Sequence, residues 1–189
     1  MKILGRDSVL HLQQDSYYKD RSGTRPSARD SLNYDELGAV DMPLFVEQLS
    51  ALLAGKSIRV PVYDYRQHIR TGKVVATEPK PIIVVEGVLV LAIDEIRELM
   101  DVKVFVNADS DLRLARRLKR DSTQRGRTTL SIMNQWNSTV QPMHSIYVDP
   151  SKKYADIIVD GTRSSRAASI VVQRIREHQR LKSEAINLS

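Results

Sequence analysis

No cysteine occurs among the 189 residues, which excludes disulfides and thiolate metal sites and suits a reducing compartment. No apolar run approaches the ~20 residues that carry a helix across a bilayer. The opening residues, MKILGRDSVLHLQQDS, lack the apolar core and small-residue cleavage site of a secretory signal. A cytoplasmic location with no membrane partner is therefore expected. Glycine is also scarce, with eight residues at positions 5, 23, 38, 55, 72, 87, 126 and 161. No two of them have the spacing, with a Lys following, of GxxxxGK[ST], the loop whose backbone N–H groups cradle nucleotide phosphates.

What is present is ordinary in amount. Hydrophobic residues make up 41% and charged residues 28% of a 21.4 kDa chain, enough for one domain, 1–189, with a real core. Net charge is +6, and its placement matters more than its size. Between Arg113 and Arg127 stand six Arg, one Lys and one Asp, so this segment carries the whole excess. A concentrated basic segment is either a solvated helix face or a site for a polyanion. No aromatic residue interleaves with these cations to stack on bases, which argues against nucleic acid.

Periodicity gives the order of elements. Leu10 to Gln13 reads as the end of a strand, with Asp15 in the loop after it. Residues 19–34, polar and broken by Gly23 and Pro26, read as an irregular lid or loop. Asp41 is a good N-cap and Pro43 suits a first turn. Leu44, Phe45, Gln48, Leu49, Leu52 and Leu53 then recur at helical spacing until Gly55. Ile58–Val62 and Gly72–Thr77 flank a polar excursion and predict a hairpin over about 58–77. PIIVVEGVLVL and VKVFVNA read as buried strands, separated by a short helix from about Ile93 to Met100. DSDLRLARRLKRDS predicts a basic helix with acids at its start, as the macrodipole favours. YADIIVDG predicts a last strand. Ser164 to about Ile186 predicts a long helix with Ile170, Val171, Ile175, His178 and Leu181 on one stripe. Strands alternating with helices mean an α/β fold with a mainly parallel sheet.

Three clusters could carry chemistry. Asp15 and Glu86 each follow an apolar strand, and open parallel sheets bind ligands at the carboxyl ends of their strands. An acid there ligates Mg²⁺ or accepts a proton from a hydroxyl; it also serves simply as a turn former or helix cap. Glu86, closing a run of five apolar residues, needs a partner. PVYDYRQHIR packs Tyr63, Tyr65, His68 and Arg70 into one excursion. Aromatic faces there could stack on a planar base, or the tyrosines could cover core in a surface hairpin. His68 has no second His or acid at metal-ligand spacing. The basic helix and its continuation RDSTQRGRTT offer Arg forks suited to phosphate, with Gly126 permitting a bend, as in a phosphoryl-transfer lid over about 111–130.

QDSYYKD, NYDELGAVD, PVYDYRQHIR, VVEGVLVL, FVNADSDLRLARRLKRDSTQRGR and SKKYADIIV stand in the order and spacing of one family. Across residues 13–160 the chain resembles the uridine kinase (uridine–cytidine kinase) family of P-loop kinases. The P-x-Y-D-x-x-x-H-x-R pattern separates it from phosphoribulokinase and pantothenate kinase relatives. The resemblance implies a P-loop-kinase-like fold with a small β-hairpin substrate subdomain and an Arg-rich lid. The implied reaction is 5′-phosphorylation of uridine or cytidine, with ATP or GTP as donor and Mg²⁺, in pyrimidine salvage. Family members are often tetramers, so a homo-oligomer is implied as well.

Carried over by residue, the resemblance makes Asp15 the general base on the 5′-hydroxyl, with Tyr18 nearby, and Asp35 the ligand of the ribose hydroxyls. Tyr63, Tyr65 and His68 would hold the pyrimidine. Arg117, Arg127 and Gln135 would contact nucleoside, Arg120 and Arg125 would close on phosphates, and Glu86 would help hold Mg²⁺. Four positions depart from the usual pattern. Glu36-Leu37 stands in place of His-Pro, Tyr65 in place of Phe, and Asn107 in place of an Asp.

The largest departure is at the front. The family places a strand, a Gly-rich loop and a helix before the strand that leads into QDS, and here only MKILGRD precedes that strand. First strand, P-loop and first helix are thus absent from the sequence read, and impaired ATP binding is expected. Two readings follow. Either Met1 is internal to a longer kinase, or the chain is a non-catalytic nucleoside-binding or regulatory pseudo-kinase.

Overall fold

The computed structural model describes residues 4–5, 7–29 and 31–187; Met1, on which the reading of an internal start turns, lies outside them. Strand β1 (Val9–Gln13) runs into a 3-10 turn (Gln14–Tyr17), and α1 (Pro26–Arg29) is one helical turn inside the expected irregular segment. Helix α2 (Met42–Leu53) starts where the sequence placed it: the Asp41 side chain accepts from the Leu44 N–H at 3.4 Å, and Pro43 occupies the first turn. Gly55, at φ +75°, follows its C-terminus in the left-handed region that glycine favours.

Strands β2 (Ile58–Asp64) and β3 (Ile69–Thr77) form the antiparallel hairpin, longer than its apolar ends suggested. Next come β4 (Ile82–Glu86), α3 (Asp94–Glu98), β5 (Val104–Asn107), the basic helix α4 (Ser110–Gln124) and α5 (Thr129–Gln135). After β6 (Ile157–Asp160) the chain ends in α8 (Ser164–Asn187). Among the described residues no helix is long and apolar enough to cross a membrane.

The architecture is α/β, but among the described residues the strands form three pairs. β1 pairs with β4 and β5 with β6, both parallel, while β2–β3 stands apart. This corrects the expectation that β4 and β5 are buried strands. Val84 is 36% exposed and Val106 59%, because each strand is hydrogen-bonded along one edge only. The expected stripe on α8 also divides. Val171, Ile175 and His178 face a cavity, whereas Ile170 and Leu181 are exposed.

Residues 129–154, which periodicity left without elements, continue as helix. Two π-helical segments, Trp136–Val140 and His144–Val148, alternate with the short turns α6 (Gln141–Met143) and α7 (Asp149–Ser151). Each π segment leads into a turn carrying a proline, Pro142 or Pro150. Proline cannot donate the regular helical hydrogen bond, and a locally widened turn is one way a helix accommodates it.

The core joins β1, α2, α3 and β5 through Leu12, Phe45, Leu49, Leu52, Leu89, Ile96 and Phe105. Gln14, fully buried, crosses from the first turn to the chain after β4, where its Oε1 accepts from the Leu89 N–H at 3.0 Å. A Cβ on Gly87 would overlap the Gln14 side chain. Gly87→Ala should therefore cost about 1–3 kcal/mol. Thermal unfolding would report this as a Tm lowered by roughly 3–10 °C, and an unchanged Tm would refute the contact's importance.

Candidate functional site

The 3-10 turn after β1 sorts its side chains by their period of three. Gln14 and Tyr17 point inward: the Tyr17 ring stacks on Phe45 at 4.5 Å and its hydroxyl donates to Gln48 at 2.8 Å. Asp15 and Tyr18 take the other side, and the Tyr18 hydroxyl hydrogen-bonds the Asp15 carboxylate. Burial, with the neighbouring Glu86 charge second, raises the Asp15 carboxyl above its ordinary value; Arg125, Arg120 and the Tyr18 bond pull the other way. Burial likewise raises the Tyr18 phenol, with the Asp15 charge adding to it. Tyr18 is thus a neutral donor beside a carboxylate made more basic.

The hairpin is tied to this turn by Arg70. Its Nε donates to the Tyr18 carbonyl at 3.0 Å, its Nη2 to the Tyr17 carbonyl at 3.3 Å, and it pairs with Asp41 at 3.0 Å. The clamp brings an aromatic row over Asp15. Tyr63 lies 5.5 Å from Tyr18 and 5.4 Å from Tyr65, and Tyr34 meets Tyr18 edge-on at 5.9 Å. His68, at the hairpin tip with φ 55°, stacks on Tyr34 at 4.4 Å. Burial raises the phenols of Tyr63 and Tyr65, so both remain neutral hydroxyls at physiological pH.

Asp35 sits in the loop before α2, where its N–H donates to the Asn33 side chain at 3.0 Å. The Thr139 hydroxyl, on the first π segment, reaches its carboxylate at 3.4 Å. Burial raises the Asp35 carboxyl, opposed first by the Arg117 charge. Widened turns of this kind recur at functional sites, and this one aims a hydroxyl at a site acid.

The basic helix supplies the far wall. Arg117 and Arg127 both donate to the Gln135 Oε1, the first at 2.8 Å, and Arg127 also donates to the Ser131 hydroxyl at 2.8 Å. Arg125 lies over the Tyr65 ring at 5.1 Å. At the hub is Asp121, whose side chain is fully buried. It pairs with Arg120 at 2.7 Å, and with Arg117 and Arg125 at 3.5 Å each. Burial alone would raise the Asp121 carboxyl, but the Arg120 hydrogen bond and the three cations outweigh it and hold it below its usual value.

One cavity of about 110 Å³ gathers these groups. It is lined by Asp15, Tyr18, Asp35, Tyr63, Tyr65, His68, Arg117, Arg120, Arg125, Arg127 and Gln135, with Tyr34 and Val88. Two carboxylates, four tyrosine rings with His68, and four guanidinium groups thus line one space. Such a wall can stack a planar ring, bond hydroxyls to carboxylates and neutralise a transferring phosphate.

Glu86 stands outside this cavity, at the end of β4, 52% exposed and 3.8 Å from the His11 Nε2. Its charge nevertheless reaches Asp15. Among the described residues no three His, Cys, Asp or Glu are gathered to hold a metal ion. Glu86 is a carboxylate of the kind that Mg²⁺ takes together with waters and substrate phosphates.

Sequence reasoning missed Tyr34, Thr139, Asp121 and Gln14, and gave Arg70 no role. Asp121 left a trace: it is the one acid in a run of seven cations. Gln14 and Thr139 carry no local signal, since their importance arises only from what the fold sets opposite them.

The family described as "Phosphoribulokinase / Uridine kinase family" matches residues 4–168. The chain is 45% identical over 171 residues to a uridine kinase of Lactobacillus johnsonii, covering 90% of this chain and 81% of that one. It is 46% identical over 173 residues to a uridine kinase of a Geobacillus species, covering 91% and 82%. Among solved structures, a possible uridine kinase from Bacillus stearothermophilus aligns with TM-score 0.53 at 17% identity, over 81% of this chain and 72% of that one. A phosphoribulokinase from Rhodobacter spheroides aligns with TM-score 0.60 at 15% identity, over 81% and 60%. These two likenesses speak for the fold alone.

Proposed function

Because the chain belongs to the phosphoribulokinase / uridine kinase family, we propose that its cavity is the acceptor site of a nucleoside kinase that phosphorylates the 5′-hydroxyl of uridine or cytidine. The observation that carries this reading is the convergence of Asp15, Asp35, the Tyr63–Tyr65–His68 aromatics and the lid arginines on one cavity. The pyrimidine lies against Tyr63 and Tyr65, with His68 at its outer edge. Asp35, oriented by Thr139, accepts hydrogen bonds from the ribose hydroxyls. Asp15 then faces the 5′-hydroxyl and takes its proton, and the Tyr18 bond fixes the carboxylate in place.

The raised basicity of Asp15 suits this task, since a general base works best when its pKa approaches the working pH. Arg117, Arg127 and Gln135 contact the nucleoside, while Arg120 and Arg125 turn from Asp121 toward the phosphates. Glu86 is the carboxylate for Mg²⁺, which when bound would neutralise charge on the transferring phosphate. ATP or GTP is the donor. The 189 residues contain no GxxxxGK[ST] to grip it, so weak donor binding is part of the proposal. A second reading is a chain that binds nucleoside without transferring phosphate.

Incubating the chain with uridine, ATP and Mg²⁺ and measuring uridine 5′-monophosphate separates the two readings. Product that depends on Asp15 supports the kinase, and nucleoside binding without product supports the second. The ribose assignment has its own test. Asp35→Ala should weaken uridine binding by about 10–100-fold, as the loss of charge-assisted hydrogen bonds does. 2′-Deoxyuridine should lose less in that variant than uridine does, and equal losses would move Asp35 away from the ribose.

A further inference from the structure

The tip of the hairpin and the end of the basic helix meet at two adjacent pairs of residues. Arg125 lies over the Tyr65 ring at 5.1 Å, and beside it the Arg66 Nη2 donates to the Gln124 carbonyl at 3.1 Å. Both sides of this contact are built to hold still. The Asp64 carboxylate accepts from the N–H groups of Arg66 and Gln67 at 2.8 and 3.0 Å, and Arg29 donates to the Gln67 carbonyl at 3.0 Å. On the helix side the N–H groups of Arg125 and Arg127 both donate to the Asp121 carbonyl, at 3.3 and 3.1 Å, with Gly126 between them at φ +67°. The helix thus closes on a left-handed glycine. The Arg66 cation sits on one of its last carbonyls, where the macrodipole favours positive charge.

Arg125 therefore has two anchors of different kinds. Its pairing with Asp121 at 3.5 Å engages guanidinium N–H groups, the same donors that a phosphate needs. A ring face attracts the cation without engaging them. Asp121 must release Arg125 before it can reach a phosphate, whereas Tyr65 can hold it throughout.

We propose that Tyr65 and Arg66 are positioning residues for Arg125, so that the hairpin lying on the nucleoside also seats the end of the lid that reaches the phosphate. Tyr65 then acts through its ring face on the phosphate end of the site, beyond its contact with the pyrimidine. Arg66, exposed and outside the cavity, acts through Gln124. This use of the clamp rests on the function proposed above; the clamp itself rests on the two contacts.

Two readouts on the full chain test this, and only the second needs a ligand. Hydrogen exchange at the Arg125 and Arg127 amides should quicken by about threefold or more in Tyr65→Leu and in Arg66→Ala, and keep the wild-type rate in Tyr65→Phe, which retains the ring face. Calorimetric titration with uridine and with uridine 5′-monophosphate then gives the affinity gained from the phosphate. That gain should fall by about threefold or more in Tyr65→Leu and in Arg66→Ala, and survive in Tyr65→Phe. Exchange or a phosphate gain indifferent to both Tyr65→Leu and Arg66→Ala would overturn the proposal. So would a Tyr65→Phe variant as impaired as Tyr65→Leu, since the ring face would then not be the anchor. Exchange quickened along the whole chain by Arg66→Ala, a change at an exposed position, would overturn it as well. Quickened exchange confined to the lid end, in a chain that binds neither ligand, upholds the clamp and counts against the nucleoside reading instead.

Discussion

Asp15→Asn is expected to lower phosphoryl transfer to uridine by about 10²–10⁴-fold, the usual contribution of a positioned general base. Uridine affinity should change by no more than a few-fold, because the amide keeps the shape and the contact with Tyr18. The same substitution should raise the Tm at neutral pH. The folded-state pKa of Asp15 lies above its unfolded value, so its contribution to stability is fully present below the unfolded pKa, near 3.8, and is lost as pH rises through the raised value. Asparagine carries no such dependence. Its advantage should therefore be clear at pH 7 and close as pH falls toward 4. A Tm lowered at pH 7, or transfer left intact, would contradict the assignment.

Asp121→Ala is expected to have the largest effect on stability. The carboxylate is fully buried and holds Arg117, Arg120 and Arg125, and its removal leaves those cations crowded without their counter-charge. Breaking a buried pair costs about 3–5 kcal/mol, and the partial exposure of the arginines places this case near about 3. For a chain of this size that corresponds to a Tm lower by about 6–12 °C. The pH dependence runs opposite to that of Asp15. The folded pKa is lowered, so the contribution is present above the unfolded value and is lost as pH falls through the lowered one. Differential scanning calorimetry at pH 7 and pH 3.5 should show the gap between wild type and Asp121→Asn shrinking in acid. A gap that is constant with pH would mean that packing, not charge, is what Asp121 contributes.

Two kinds of information made the site legible in sequence, and they reached different depths. Periodicity located β1, α2, the hairpin, α4 and β6, because each has a cap, a turn residue or an apolar alternation of its own. It misjudged β4 and β5, since IIVV and VFV report the surroundings for which a strand is suited, not whether both edges are paired. It gave nothing for residues 129–154, where Pro142 and Pro150 interrupt the helical pattern. The resemblance named the lining residues but not their supports. Gln14, Asp121 and Thr139 act through partners 75, 4 and 104 positions away, and only the nearest of these falls within one helical turn. Arg70 was visible as a cation in a tyrosine cluster; that it clamps the hairpin to the turn carrying Asp15 required the fold.

The central claim is that Asp35, the hairpin aromatics and the lid arginines form a nucleoside site, and calorimetric titration of the full chain with uridine tests it most directly. The account predicts saturable binding at one site per chain, weakened at least tenfold by Asp35→Ala and by His68→Ala, each variant still folded by circular dichroism. A folded wild-type chain that takes up no uridine at millimolar concentration, or binding indifferent to both substitutions, would contradict it.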